Sequence, residues 1–178
     1  MEVAKAYARN ALTAREMTAD QLRTRMAARL SRRFACGEEC ADGDLIPSVV
    51  EEVLKLCASY SLIDDGAFAR RRAASSVRAG KSRRVSEMAL QAKGIDGETV
   101  RASFADYDEM AAALVFLRKK KAGPFAGAEE TEDRRRKVMG SFLRSGFSYS
   151  LWSRAVALTT DEAEEYLSAT WLIVREAN

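Results

Sequence analysis

Apolar residues recur three and four positions apart along nearly the whole chain, with polar residues between them. Ala4, Tyr7, Ala8 and Ala11 form the first such row, and Val50, Val53, Leu54 and Cys57 another. The pattern continues through Val85, Met88, Ala89 and Ala92, then Val100, Ser103, Phe104 and Tyr107. Met110, Leu114 and Leu117 mark a later helix, Val138 with Phe142 the next, and Trp152, Ala155 and Val156 one more. This spacing puts each set on one face of an α-helix, the side a globular protein ordinarily turns inward. Alternating runs rich in β-branched residues are missing, so the pattern predicts an all-α protein.

Local signals divide the helices. Thr18-x-x-Gln21 and Thr159-x-x-Glu162 have the form of capping boxes, and Ser82 is placed to cap the Val85 helix. Gly94 and Gly146 stand where a helix-ending glycine belongs, and Gly123-Pro124 opens a linker to about residue 131. Lys93-Gly94-Ile95-Asp96 and Ser145-Gly146-Phe147-Ser148 each join a second helix to a third, which reads as an internal repeat. Three successive three-helix repeats are expected, at 1–62, 63–107 and 108–158, with an acidic helix over 159–178. Each is near the smallest size that supports its own core, so neighbours are expected to pack end to end into an elongated, curved molecule.

Charge changes the picture. The chain of 178 residues has 29 basic and 26 acidic side chains, a net charge of only +3. Between Gly66 and Arg101 there are nine basic residues against three acids, and between Arg118 and Arg144 nine against four. From Thr159 onward five acids face one arginine. Arg118, Lys119, Lys120 and Lys121 end a helix, where the dipole favours cations. Arg134, Arg135, Arg136 and Lys137 fall in a helix's opening turns, partly offset by Glu129, Glu130, Glu132 and Asp133. Arg83 and Arg84 follow Ser82 with no comparable acid cluster, so binding to an anionic surface explains them better than stability does.

Catalytic options are few. There is no histidine, hence no Ser-His or Cys-His nucleophile and no HExxH zinc site. Cys36, Cys40 and Cys57 are too few soft ligands for a zinc centre, and their odd number suggests thiols in a reducing, cytoplasmic compartment. No phosphate-cradling glycine loop or membrane-length apolar run is present, and no signal peptide is expected. Ser61, Ser75 and Ser76 lack a base, and Asp64-Asp65 and Asp106-x-Asp108-Glu109 lie where helices start, as capping requires. Trp152 and Trp171 are expected as core anchors. Neither an enzyme nor a cofactor is expected.

Specific segments then resemble a known family. Leu62-Ile63-Asp64-Asp65-x-x-Phe68-Ala69-Arg70 resembles the most typical stretch of the RecX family, bacterial modulators of the recombinase RecA. Gly80-Lys81-Ser82-x-Arg84 through Asp96 is similar to the helix and glycine turn that follow it, and Phe142 to Tyr149 to the C-terminal repeat motif. The resemblance spans about Tyr7 to Leu158. It implies a helical three-repeat protein that binds RecA and the RecA–DNA filament and inhibits filament growth, ATP hydrolysis and strand exchange. It carries over Arg70, Lys81, Arg84 and Arg144 as contacts. Arg71, Arg78, Arg83, Lys119, Lys120 and the Arg134–Lys137 run join them on local charge alone. The chain departs from the family at Ser59-Tyr60-Ser61, where a glycine is usual, in the long Cys-containing loop of 34–46, and in the acidic tail.

The resulting expectation is a monomeric regulatory protein whose basic face meets filament and DNA without sequence preference. Removing the tail is expected to strengthen DNA binding if its acids mask that face. The rival expectations are a sequence-preferring DNA-binding protein, with the Val85 helix as reader, and a metal-dependent nuclease using the acidic pairs.

Overall fold

The protein's computed structural model describes residues 1–35, 45–127 and 130–176. Cys36, Cys40, Glu129 and the side chain of Trp171 lie outside the described residues. The described chain is all-α, as the spacing predicts. The helices are α1 (Glu2–Ala14), α2 (Ala19–Ala35), α3 (Leu45–Ser59), α4 (Asp65–Arg78) and α5 (Arg83–Gln91). They continue with α6 (Gly97–Ser103), α7 (Glu109–Lys120), α8 (Glu132–Arg144), α9 (Tyr149–Val156) and α10 (Thr160–Glu176). A 3-10 turn at Gly123–Phe125 carries the one buried proline.

The chain forms two compact units, Met1–Arg70 with Leu90–Ala102, and Arg71–Ala89 with Ser103–Asn178. In the first, the fully buried residues of α1 are two alanines, Ala4 and Ala8, with Tyr7, Ala11 and Leu12 partly buried against the same core. Leu22, Met26 and Leu30 of α2 pack there with Val50, Val53, Leu54 and Cys57 of α3. The capping box at Thr18 forms reciprocally: Thr18 N–H reaches Gln21 Oε1 at 3.4 Å, and Gln21 N–H reaches Thr18 Oγ1 at 3.2 Å. The Thr18 hydroxyl also donates to Lys93 O at 2.7 Å, which ties the Gly94 turn to the start of α2.

The acidic pair at 64–65 caps two helices. Asp64 Oδ1 accepts from Ala67 N–H at 2.7 Å at the start of α4. Asp65 Oδ1 reaches back to Ala19 N–H, 3.0 Å away at the start of α2. Burial pushes the Asp65 carboxyl above the ordinary carboxylate range, with Asp64 and Asp96 adding to the rise, against the bond from Ala19 and the charge of Arg23. Its neutral form therefore favours the fold: that contribution is present below the ordinary carboxylate range and lost as pH rises through the raised value. Asp65→Asn, which keeps the acceptor, is expected to flatten this part of the pH dependence of stability. Urea unfolding of both proteins from pH 4 to pH 7 checks it.

In the second unit α7 is buried nearly all round, through Ala111–Val115 and Leu117, and the other elements wrap it. Phe142 stacks on Phe147 with centroids 4.4 Å apart and meets Trp152 edge-on at 5.3 Å. Asp108 caps α7 at Ala111 N–H, 2.8 Å away, and its oxygens also accept from Tyr166 and Thr170 of α10.

One expected face is reversed. On α5 the apolar row points outward, with Met88 57% and Val85 39% exposed and Ala89 and Ala92 also exposed. The inner side carries Ser82, Ser86 and Leu90. The cause is polar and distant in sequence: Ser82 Oγ donates to Ser145 O at 2.7 Å while accepting from Val85 N–H, and Ser86 Oγ donates to Ser82 O at 2.9 Å. Left unbonded, such buried hydroxyls would each cost about 1–3 kcal/mol, so the serines must face the carbonyls.

The two glycine turns repeat one device. The Thr18 hydroxyl donates to the carbonyl before Gly94, and the Ser82 hydroxyl to the carbonyl before Gly146. Both glycines have positive φ, +78° and +88°. A Cβ on Gly146 would lie 2.6 Å from Ser82 Oγ, and one on Gly94 would fall on the Asp20 side chain. Gly94→Ala is expected to cost about 2–4 kcal/mol through backbone strain and collision. Gly97→Ala, where the added carbon meets open space, is expected to be near neutral. The urea midpoints of the two variants distinguish the positions.

Candidate nucleic-acid interface

The turn between α4 and α5 is the structural centre of the basic region in the second unit. Gly80, at φ +66°, lets it lie against α7 so closely that a Cβ there would sit 2.8 Å from Phe116 N. Lys119 Nζ donates to Ala79 O at 2.9 Å, and Tyr107 Oη donates to Lys81 O at 2.6 Å. Burial raises the Tyr107 hydroxyl above its ordinary range, the bond to Ser86 opposing, so the phenol keeps its proton at neutral pH. With its backbone pinned on both sides, the turn directs the Lys81 side chain to solvent. Ser82 then holds the Ser145-Gly146 turn next to Arg84.

These contacts bring Arg78, Lys81 and Arg84 together with the end of α7 and the end of α8. Arg78, Lys81, Arg84 and Arg144 are exposed and make no ion pair among the described residues. Arg144 lies back along α8, its guanidinium 3.2 Å from where a Gly140 Cβ would stand. Small Gly140 thus leaves room for the arginine over the helix.

Other predicted contacts have structural duties. Arg83 Nε bonds Glu87 Oε1 at 2.7 Å, which corrects the expectation that it lacks a compensating acid. The i, i+4 spacing of Arg83 and Glu87 is the signal that would have shown it. Lys119 serves the Ala79 carbonyl, and Arg134 Nη2 lies 3.4 Å and 3.5 Å from the Lys120 and Lys121 carbonyls at the end of α7. Lys120 Nζ stands 5.9 Å from the Phe116 ring centre. Arg136 and Lys137 pair with Asp133, 3.9 Å and 3.4 Å away, in contacts so exposed that they are worth at most about 1 kcal/mol. Arg135 is exposed on the same helix. Arg71 is engaged within the chain. Arg70 is exposed and falls in the first unit. Gly80, Phe116 and Tyr107, the residues that position the turn, were not among the predicted contacts; a Gly-Lys-Ser break between helices was the available sign.

The acidic helix is also placed. Glu164 pairs with Arg118, and Glu162 closes the second capping box at Thr159. Of the basic residues described, Arg118 is the one its carboxylates engage. No cluster of three or more metal-ligating side chains occurs among the described residues, and no helix there is long and apolar enough to cross a membrane.

Comparison with known proteins agrees with this architecture. A family model described as RecX, second three-helix domain, matches residues 64–103, the segment holding α4, α5, the Gly94 turn and α6. The regulatory protein RecX of Agrobacterium fabrum is 32% identical over 170 residues, covering 91% of this chain and 88% of its own. That of Myxococcus xanthus is 32% identical over 146 residues, covering 78% and 76%. Among solved structures, RecX from Lactobacillus salivarius superposes with a TM-score of 0.62 at 17% identity, over 94% of this chain and 96% of that one. A second crystal structure of regulatory protein RecX gives 0.63 at 18% identity, over 88% and 73%, and both show a shared fold. With such identity along most of both chains, and the helix and glycine turn of the family's second domain in place, the chain belongs to the RecX family of regulatory proteins.

Proposed function

We propose that this protein binds RecA and the RecA–DNA filament and restrains filament growth, ATP hydrolysis and strand exchange, acting by occupancy and not by chemistry. The observation that carries this reading is the group of unpaired, exposed cations on the pinned turn, Arg78, Lys81 and Arg84, with Arg144. Cations without an internal partner are available to phosphate. Four such contacts on single-stranded DNA would give a log–log salt dependence of affinity of roughly −3. Phosphate contacts carry no sequence information, so scrambled oligonucleotides should bind alike. The three-repeat division at 62, 107 and 158 belongs to the same proposal, supported by the recurrence of the hydroxyl-to-turn device. The test is RecA filament extension on single-stranded DNA with the protein titrated in. Extension is expected to slow with dose; extension at the unmodified rate throughout would refute the proposal.

A further inference from the structure

The outward face of α5 is the least conventional surface among the described residues. A nine-residue helix has turned Ser86 and the capping Ser82 inward and its apolar row to water. Val85, Met88 and Ala89 lie at i, i+3 and i+4, so they form one continuous strip, with Arg84 one turn before Met88 on the same side. Isolated exposed apolar residues are ordinary, but a strip that replaces the buried face of its helix marks a surface made for contact. Methionine suits such a role, because its unbranched, polarisable side chain adapts to the surface it meets.

We infer that this strip docks onto protein and not onto DNA, its occupant being an apolar residue ringed by carboxylates on the recombinase surface. Charge complementarity selects that chemistry. Glu87 is neutralised by Arg83, while Arg84 and Lys81 at the opening of the helix stay unpaired. The strip is therefore an apolar centre with a positive rim. Phosphate would satisfy the rim but offers nothing to Met88 and Val85, whose burial is favourable only against carbon. An apolar side chain among carboxylates satisfies both parts at once. The inference rests on the proposed action on RecA, and it separates the protein contact from the phosphate contact within one neighbourhood.

The experiment uses the full chain with Val85→Ser and Met88→Ser together, changes that leave the charge intact and alter only exposed side chains. Two quantities are read at matched salt: the concentration that halves RecA ATP hydrolysis on single-stranded DNA, and the affinity for the bare oligonucleotide. The half-inhibiting concentration is expected to rise roughly tenfold, the loss of one interface hot spot, with oligonucleotide affinity unchanged. Met88→Leu is expected to keep wild-type inhibition. Wild-type potency in the double serine variant would overturn the inference. So would an equal loss in both assays, which would place the strip on DNA. A wild-type chain that leaves ATP hydrolysis untouched would instead overturn the function on which the inference rests.

Discussion

Deleting residues 159–178 is expected to melt the second unit, not to uncover a stronger DNA-binding surface. The tail is acidic in composition, yet its helix is part of the core. Ala163 is wholly buried and Leu167 is 1% exposed, packed in the cluster that holds Leu114, Leu117, Phe142 and Trp152. Polar contacts fix it further: Thr160 Oγ1 donates to Pro124 O at 2.6 Å, and Tyr166 and Thr170 both donate to Asp108, the residue that caps α7. Leu167→Ala alone is expected to cost about 2–5 kcal/mol, the range for truncating a buried leucine that leaves a cavity. The deletion should therefore lower the urea midpoint followed by circular dichroism at least as much as the point variant. Charge and packing can be separated, because Glu164→Gln releases Arg118 without touching the apolar face. That variant is expected to keep the wild-type midpoint. A deletion that unfolds at the wild-type midpoint would show that α10 is dispensable to the core.

Lys81→Glu with Arg84→Glu is expected to produce the largest change in nucleic-acid affinity. Both side chains are exposed and unpaired, and both stand on a turn whose carbonyls are already taken by Tyr107 and Lys119. The substitutions leave the pinning contacts intact, so helicity and unfolding midpoint should hold. Affinity for a single-stranded oligonucleotide should fall about ten- to a hundredfold at low salt, and the salt slope should flatten by roughly 1–2 as phosphate contacts are lost. Arg83→Glu is the useful contrast. Arg83 is committed to Glu87, so reversing it mainly breaks a part-buried i, i+4 pair worth a few tenths of a kcal/mol. Fluorescence anisotropy over a salt series reads all three proteins. Equal losses from Arg83→Glu and from the double variant would mean that total charge, not the pinned turn, governs binding.

Helices, caps and glycine turns were legible in the sequence because each is decided within a few residues. The capping boxes at Thr18 and Thr159, the caps at Asp64 and Asp108, and the positive φ of Gly94 and Gly146 all follow from spacing and side-chain type. The orientation of α5 was not legible. Its apolar spacing is correct for a buried face, but the Ser145 carbonyl that draws Ser82 inward lies 63 residues away. The same holds for the basic runs, which look alike in composition. Lys119 and Arg134 are spent on backbone carbonyls of other elements, 40 and 13–14 residues distant, while Arg84 and Lys81 are not. Only the packing of α7 against the Gly80 turn separates structural cations from available ones. The tail shows the converse: its composition is acidic, while among its described residues Ala163 and Leu167 are buried in the core.

The most direct measurement is RecA ATP hydrolysis on single-stranded DNA, titrated in parallel with the wild-type chain and with the Lys81→Glu, Arg84→Glu chain. The wild type is expected to suppress hydrolysis in a dose-dependent way, and the double variant to need at least roughly tenfold more protein for the same effect. Equal suppression by the two chains, or none by the wild type, would contradict the assignment of the pinned basic turn as the regulatory surface.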